Sequence, residues 1–156
     1  MIGKTGRDIP KESALDHIAG YCVSNDVSAR AWQRDPDKAG VVPQWCFSKG
    51  FDKFAPLGPV LVSPALVGNA SDLHLRTFVN GEERQRTSTS DLIFGVEDII
   101  TFCSQGTTLE AGTIIMTGTP SGVAMGMKPP KYLTDGDVVE VTITGLGSVR
   151  NRMVFE

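Results

Sequence analysis

The sequence predicts one β-rich α+β domain in which strands outnumber helices. Three observations carry that expectation. Leu73, Leu75, Thr77 and Val79 alternate with His74, Arg76 and Phe78, the period-two pattern of a half-buried strand. Asn80-Gly81 follows at once, a two-residue hairpin turn in which both residues tolerate positive φ. Helical periodicity is confined to two stretches, too few crossovers for a doubly wound parallel sheet.

In chain order, the first helix is expected after Ile9-Pro10, with proline in the first turn. Ala14, Leu15 and Ile18 share one face of it and Gly20 is its stop. Tyr21-Cys22-Val23 reads as a short strand. A long stretch holding Pro36, Pro43, Pro56 and Pro59 is expected to be irregular, with a strand at Leu57 to Val62. The strand returning from Asn80-Gly81 carries Glu83 to Arg86. The second helix, Asp91 to Ser104, would bury Leu92, Val96, Ile99, Ile100 and Cys103, with Ser90 as N-cap and Gly106 as stop. Thr113 to Met116 reads as a short apolar strand. Val138 to Ile143 pairs with Val149 to Phe155 across Gly145-Leu146-Gly147.

Composition narrows the function classes. The chain has 156 residues, 40% hydrophobic and 21% charged, with a formal net charge of −3. One domain is the natural expectation at that length. No basic face points to nucleic acid or an anionic membrane, because Arg84 and Arg86 lie beside Glu82 and Glu83 in what reads as a solvated hairpin. No stretch approaches the ~20 apolar residues that span a bilayer. Cys22, Cys46 and Cys103 are odd in number, dispersed and set among apolar neighbours. They are expected to be reduced and buried, which fits an intracellular reducing compartment, cytoplasmic or mitochondrial.

Three places could carry chemistry. Asp26 follows an apolar strand among small residues, where it could ligate a hard cation such as Mg²⁺, cap a turn, or pair with Arg30. Lys49 sits among Trp45, Phe47, Phe51 and Phe54, where it could hold a substrate carboxylate or enolate, or snorkel over an apolar surface. Thr117-Gly118-Thr119-Pro120-Ser121-Gly122 is a small-residue loop that lets backbone N–H groups approach an anion, although such loops are also common turns. No Gly-Lys-Ser/Thr of a phosphate loop and no Gly-x-Ser-x-Gly is present. His17 and His74 are far apart and are expected to be surface or sheet residues.

Together these segments resemble the fumarylacetoacetate hydrolase family. The resemblance rests on Gly20-Tyr21, Asn25-Asp26-Val27-Ser28-Ala29-Arg30 with Gln33, and Lys49-Gly50-Phe51-Asp52 leading into Pro56-Leu57-Gly58-Pro59. It continues through Val79-Asn80-Gly81-Glu82 with Gln85, Thr117 to Val123, and Leu133-x-Asp-Gly-Asp137, covering almost the whole chain in order. It implies a mixed β-roll or sandwich with two or three short helices, usually in a homodimer, and a Mg²⁺ or Mn²⁺ centre held by three carboxylates. Asp26 matches the last of those ligands. Arg30, Gln33 and Lys49 match residues on the substrate side of the metal. Thr119, with Gly118 in its loop, matches the one that holds a substrate carboxylate.

The family's other two ligands form a Glu-x-Glu pair on a strand just before the segment that opens here, and Met1-Ile2-Gly3-Lys4 resembles the exit of that strand. The chain is therefore expected to be an N-terminally truncated catalytic domain, residues 1–156, without its opening strand or lid. The resemblance implies a metal-dependent hydrolase or lyase of small 2-oxo or 1,3-dicarbonyl acids, by C–C cleavage or decarboxylation. One alternative is an oxaloacetate-type keto–enol tautomerase. The other is a non-catalytic remnant that keeps the dimer scaffold.

Overall fold

The computed structural model describes residues 1–155. Its main sheet has four antiparallel strands in the order β5-β4-β7-β8, formed by β4 (His74–Val79), β5 (Glu82–Ser88), β7 (Val138–Ile143) and β8 (Gly147–Arg152). The alternation over residues 73–79 is borne out: Thr77 is buried, Leu75 half-buried, and His74 and Arg76 exposed. Asn80 and Gly81 turn the chain with φ of 50° and 84°. The Asn80 side chain also donates to Asp137 Oδ1 at 2.7 Å and accepts from the Val138 N–H at 2.9 Å, which ties the hairpin to β7.

Residues opposite one another across a ladder share a face. Thr77 faces Val141 and Val79 faces Val139, while Val141 faces Val149. That face packs on Val23 from a second antiparallel pair, β2 (Tyr21–Ser24) with β3 (Leu57–Val62), and the core there is Val23, Val139, Val141, Leu146 and Val149. A second core of Ile2, Ile9, Ala14, Ile100 and Leu109 lies around helix α5 (Val96–Cys103). A short pair, β1 (Gly6–Arg7) with β6 (Thr108–Leu109), completes the set.

The structure corrects several details. Lys11–His17 is a 3₁₀ helix, not an α-helix. Three residues per turn put Ala14 and His17 on the buried side, so Ala14 and the half-buried Ile18 of the expected face meet the core and Leu15 alone is left exposed. His17 is therefore a core residue, and its Nδ1–H donates to the Lys4 carbonyl at 2.7 Å. His74 is a sheet residue as expected.

The stretch expected to be irregular holds three short helices, α1 (Arg30–Arg34), α2 (Pro36–Ala39) and α3 (Cys46–Lys49), and a fourth, α4 (Pro64–Val67), follows β3. Single turns with side-chain caps form readily around prolines: Asp35 and Ser63 cap α2 and α4, each with Pro in the first turn. The helix expected from Asp91 begins at Val96 instead, because Ser88 caps a separate 3₁₀ turn at Thr89–Asp91 and Gly95 opens the helix. Glu97 and Asp98 then face its N–H groups. Thr113 to Met116 forms no ladder among the described residues; its start meets Ile2, through Ile2 N–H to the Thr113 carbonyl and Gly112 N–H to the Ile2 carbonyl, each at 2.8 Å, while the Thr113 N–H turns back to the Glu110 carbonyl at 3.0 Å.

The three thiols are free, but Cys46 is exposed and Cys22 and Cys103 are half-buried. Nor is the charged hairpin fully solvated: Arg84 is only 13% exposed and pairs with Glu82 at 3.2 Å.

Candidate functional site

Asp26 and Lys49 are brought together. Past β2, the Asn25 and Val27 N–H groups donate to the Pro56 and Phe54 carbonyls, so this segment continues the pairing with the chain before β3. Lys49 is the last residue of α3. That helix is anchored by the Ala29 N–H bonded to the Ser48 carbonyl at 2.9 Å, and by Gln44 Oε1, which accepts from the Cys46 N–H at 2.7 Å. The Lys49 ammonium donates to Asp26 Oδ2 at 2.5 Å and to Ser28 Oγ at 2.8 Å, and lies 5.8 Å from the centre of the Trp45 ring.

This pair is not a stability device. Its side chains are 30% and 42% exposed, and ion pairs so open to water contribute ~1 kcal/mol or less. It presents a charged, accessible ammonium beside a carboxylate oxygen, Oδ1, that accepts no hydrogen bond among the described residues.

Arg30 does not pair with Asp26. Its guanidinium donates to Gln33 Oε1 at 2.6 Å, one turn along α1. Gln33 is fully buried, so it supports Arg30 from within, and its Nε2 has no partner.

Thr119 and Gly118 lie on the second element of the site. The Gln85 side chain of β5 donates to Thr119 Oγ1 at 2.8 Å and to the Pro120 carbonyl at 3.2 Å. The loop lies hard against β5 at Gly122, where a Cβ would come within 1.9 Å of the Arg84 carbonyl oxygen. No hydrogen bond joins Thr119 to Asp26 or Lys49 among the described residues. The two elements meet further back, where Ser24 Oγ donates to Met116 Sδ at 3.7 Å, two residues before Asp26 and three before Thr119. The apolar pocket between Ile2, Tyr21, Ile99, Ile115 and Thr117 includes none of Asp26, Lys49 and Thr119.

No group of three His, Cys, Asp or Glu side chains among the described residues could hold a metal ion. Asp26 is a hard-oxygen donor of the kind Mg²⁺ or Mn²⁺ takes, but one carboxylate does not make a cage. Three acids of the β5 hairpin and the turn after it are engaged elsewhere. Glu83 is held at a pKa of about 2 by hydrogen bonds from Arg86 and Arg76, and Glu82 is held low chiefly by Lys131. Asp91 accepts from the Thr87 hydroxyl.

Sequence reasoning assigned no individual role to Ser28, Trp45 or Gln85. Ser28 and Gln85 fall inside quoted motifs, but only the fold shows which side chain each one meets.

The chain matches a family model described as fumarylacetoacetate (FAA) hydrolase C-terminal over residues 1–154. It is 44% identical over 153 residues to the oxaloacetate tautomerase YisK of Bacillus subtilis (strain 168), covering 98% of this chain and 49% of that protein. A fumarylacetoacetate hydrolase from psychrophilic Exiguobacterium antarcticum superimposes with a TM-score of 0.91 at 45% identity, over 100% of this chain and 54% of that one. A fumarylpyruvate hydrolase from Pseudomonas aeruginosa, solved in complex with Mn²⁺ and pyruvate, gives 0.85 at 34%, over 99% and 62%. The chain spans about half the length of the curated relatives it matches.

Proposed function

The chain belongs to the fumarylacetoacetate hydrolase family, and from that premise we propose that it is the catalytic domain of a divalent-metal-dependent enzyme that enolises small 2-oxo or 1,3-dicarbonyl acids. The observation that carries this reading is the accessible Lys49 ammonium fixed against Asp26 and Ser28.

When a 2-oxo acid loses the proton next to its carbonyl, negative charge gathers on the carbonyl oxygen. An ammonium already in place lowers the cost of that charge without reorganising. Lys49 has three N–H donors, two of them engaged in the hydrogen bonds to Asp26 and Ser28, so the third can meet an enolate oxygen. Thr119 accepts from Gln85, and its own hydroxyl makes only a long hydrogen bond of 3.5 Å to the Pro120 carbonyl, which a substrate carboxylate can replace. The Gly118 N–H and the Arg30 guanidinium add donors that orient the same acid.

A divalent ion would supply a Lewis acid for the carbonyl. The described residues offer it Asp26 and do not complete its coordination. Ile2 bridges antiparallel to Ile18, and the Met1 amine donates to the Gly20 carbonyl at 2.9 Å, so the first residues pair with the segment that leads into β2.

C–C hydrolysis, decarboxylation and tautomerisation share the enolate and differ in how protons and water are delivered. The hydrolase or lyase reading stands beside a second, keto–enol tautomerisation of an oxaloacetate-like diacid, favoured by the relative of that name at 44% identity. A homodimer is part of the proposal, and the exposed apolar side chains Ile93, Phe94 and Phe102 around α5 support it.

The test compares this chain with a longer form extended at its N-terminus by the Glu-x-Glu strand that the family resemblance implies, on acylpyruvates and on oxaloacetate, with Mg²⁺ or Mn²⁺ and after chelation. Metal-dependent turnover by the longer form, lost in Asp26→Ala with the fold intact, is the expected result. Inactivity of both forms would leave the non-catalytic remnant as the better reading.

A further inference from the structure

Trp45 stands apart from the other aromatic residues around the site. Trp32, Phe47, Phe51 and Phe54 form a continuous cluster, with successive ring centres 5.1–6.0 Å apart. Trp45 makes none of those ring contacts, and it is 55% exposed. Its ring faces the Lys49 ammonium at 5.8 Å, within the range over which an indole face attracts a cation.

The backbone fixes this placement. Trp45 is the N-cap of α3, and its carbonyl accepts from the fully buried Ser48 hydroxyl at 2.9 Å. Gln44 before it is tied to α1 by its N–H bonded to the Gln33 carbonyl at 2.9 Å. Ring and ammonium thus ride on the same short helix, four residues apart.

We propose that Trp45 is a positioning residue for the Lys49 ammonium, holding it in place when a substrate oxyanion draws it away from Asp26. The inference rests on the enolising site described above. Of the three partners of the ammonium, Asp26 and Ser28 occupy N–H donors that an incoming oxyanion must share. The indole face uses no hydrogen-bond donor directionally, so its hold persists as the others are exchanged. Without it, a four-carbon side chain with many rotamers must find its position anew in each turnover.

The test uses the longer form described above, with oxaloacetate as substrate. Trp45→Leu keeps apolar bulk and removes the π face; Trp45→Phe keeps a π face. Trp45→Leu is expected to lower kcat/KM by about fivefold to thirtyfold, chiefly in kcat, with Trp45→Phe within about twofold of wild type and unfolding temperatures unchanged. In this chain, whose two tryptophans are Trp32 and Trp45, Lys49→Met in a Trp32→Phe background is expected to change the emission of Trp45, which reads the contact without any need for turnover. Wild-type kinetics in Trp45→Leu, equal loss in the Leu and Phe variants, unchanged emission, or unfolding of every Trp45 variant would each overturn the inference. Lys49→Met separates the two levels. Its full retention of activity would remove the enolising site itself, whereas its inactivity beside a fully active Trp45→Leu would remove only the role of Trp45.

Discussion

Gly122→Ala offers a stringent test of how the Thr119 loop is held. At this position φ is +100°, and a Cβ would lie 1.9 Å from the Arg84 carbonyl oxygen, where real Cβ contacts essentially never fall under 3.0 Å. Loop or strand must therefore move by more than 1 Å, and the obstacle is backbone, which cannot swing aside as a side chain can. Strain at positive φ adds ~1–2 kcal/mol, and overpacking against main chain adds ~1–3 kcal/mol. The expected cost of ~2–5 kcal/mol lowers the unfolding temperature by about 4–20 °C for a domain of this size.

Gly118→Ala is the matched control. Its φ is +111°, but no heavy atom lies within 4 Å of the added Cβ. It should show strain alone, ~1–2 kcal/mol and about 2–8 °C. Thermal unfolding of both variants by circular dichroism reads the difference. In the longer form, displacement of Thr119 from Gln85 should also lower kcat/KM about a hundredfold in Gly122→Ala. Equal unfolding temperatures for the two variants would refute the close packing of this loop on β5.

Three further outcomes follow from the geometry. Lys49→Met should change unfolding free energy by ~1 kcal/mol or less, because its partner is well exposed, a result checked by urea titration. Gln33→Met removes a hydrogen bond to a charged group, worth ~1.5–3 kcal/mol, but also removes a buried N–H without a partner, a cost of ~1–3 kcal/mol. Net stability should therefore shift by only ~1 kcal/mol while Arg30 loses its support, seen as lower turnover at nearly unchanged unfolding temperature. The pKa of Glu83 falls on folding from 4.5 to about 2, through hydrogen bonds from Arg86 first and Arg76 next. A depressed carboxylate contributes stability that is fully present above pH 4.5 and is lost as pH falls towards 2. Glu83→Gln should flatten stability across that window, measured by urea unfolding at stepped pH, and leave the slope above pH 6 unchanged.

Strand pattern was legible wherever one face met the core. Thr77 and Val79 declare their face by alternation, and Asn80-Gly81 marks the turn by its tolerance of positive φ. The same local rules misplace residues whose burial depends on distant partners. His17 is buried because a 3₁₀ turn carries it onto the Lys4 carbonyl, which no helical wheel at 3.6 residues per turn shows. Cys46 looks apolar from its neighbours, yet it opens a four-residue helix at the surface. The start of α5 could have been found from Gly95 followed by Glu97 and Asp98, a first-turn signal that the longer apolar stripe obscured. Of the site, Asp26 and Lys49 were legible as two separate charged candidates. That Lys49, not Arg30, would be the partner of Asp26 depends on how α3 folds back onto Ala29, a contact between segments far apart in sequence.

The central claim is that Lys49 steadies negative charge on the oxygen of an enolising acid. The most direct measurement is exchange of the C3 protons of oxaloacetate with deuterium, followed by NMR in the longer form with Mg²⁺. Wild type should accelerate exchange, and Lys49→Met should lose about 10²–10³-fold of that acceleration with its fold intact. Exchange by a folded Lys49→Met at the wild-type rate would contradict the account.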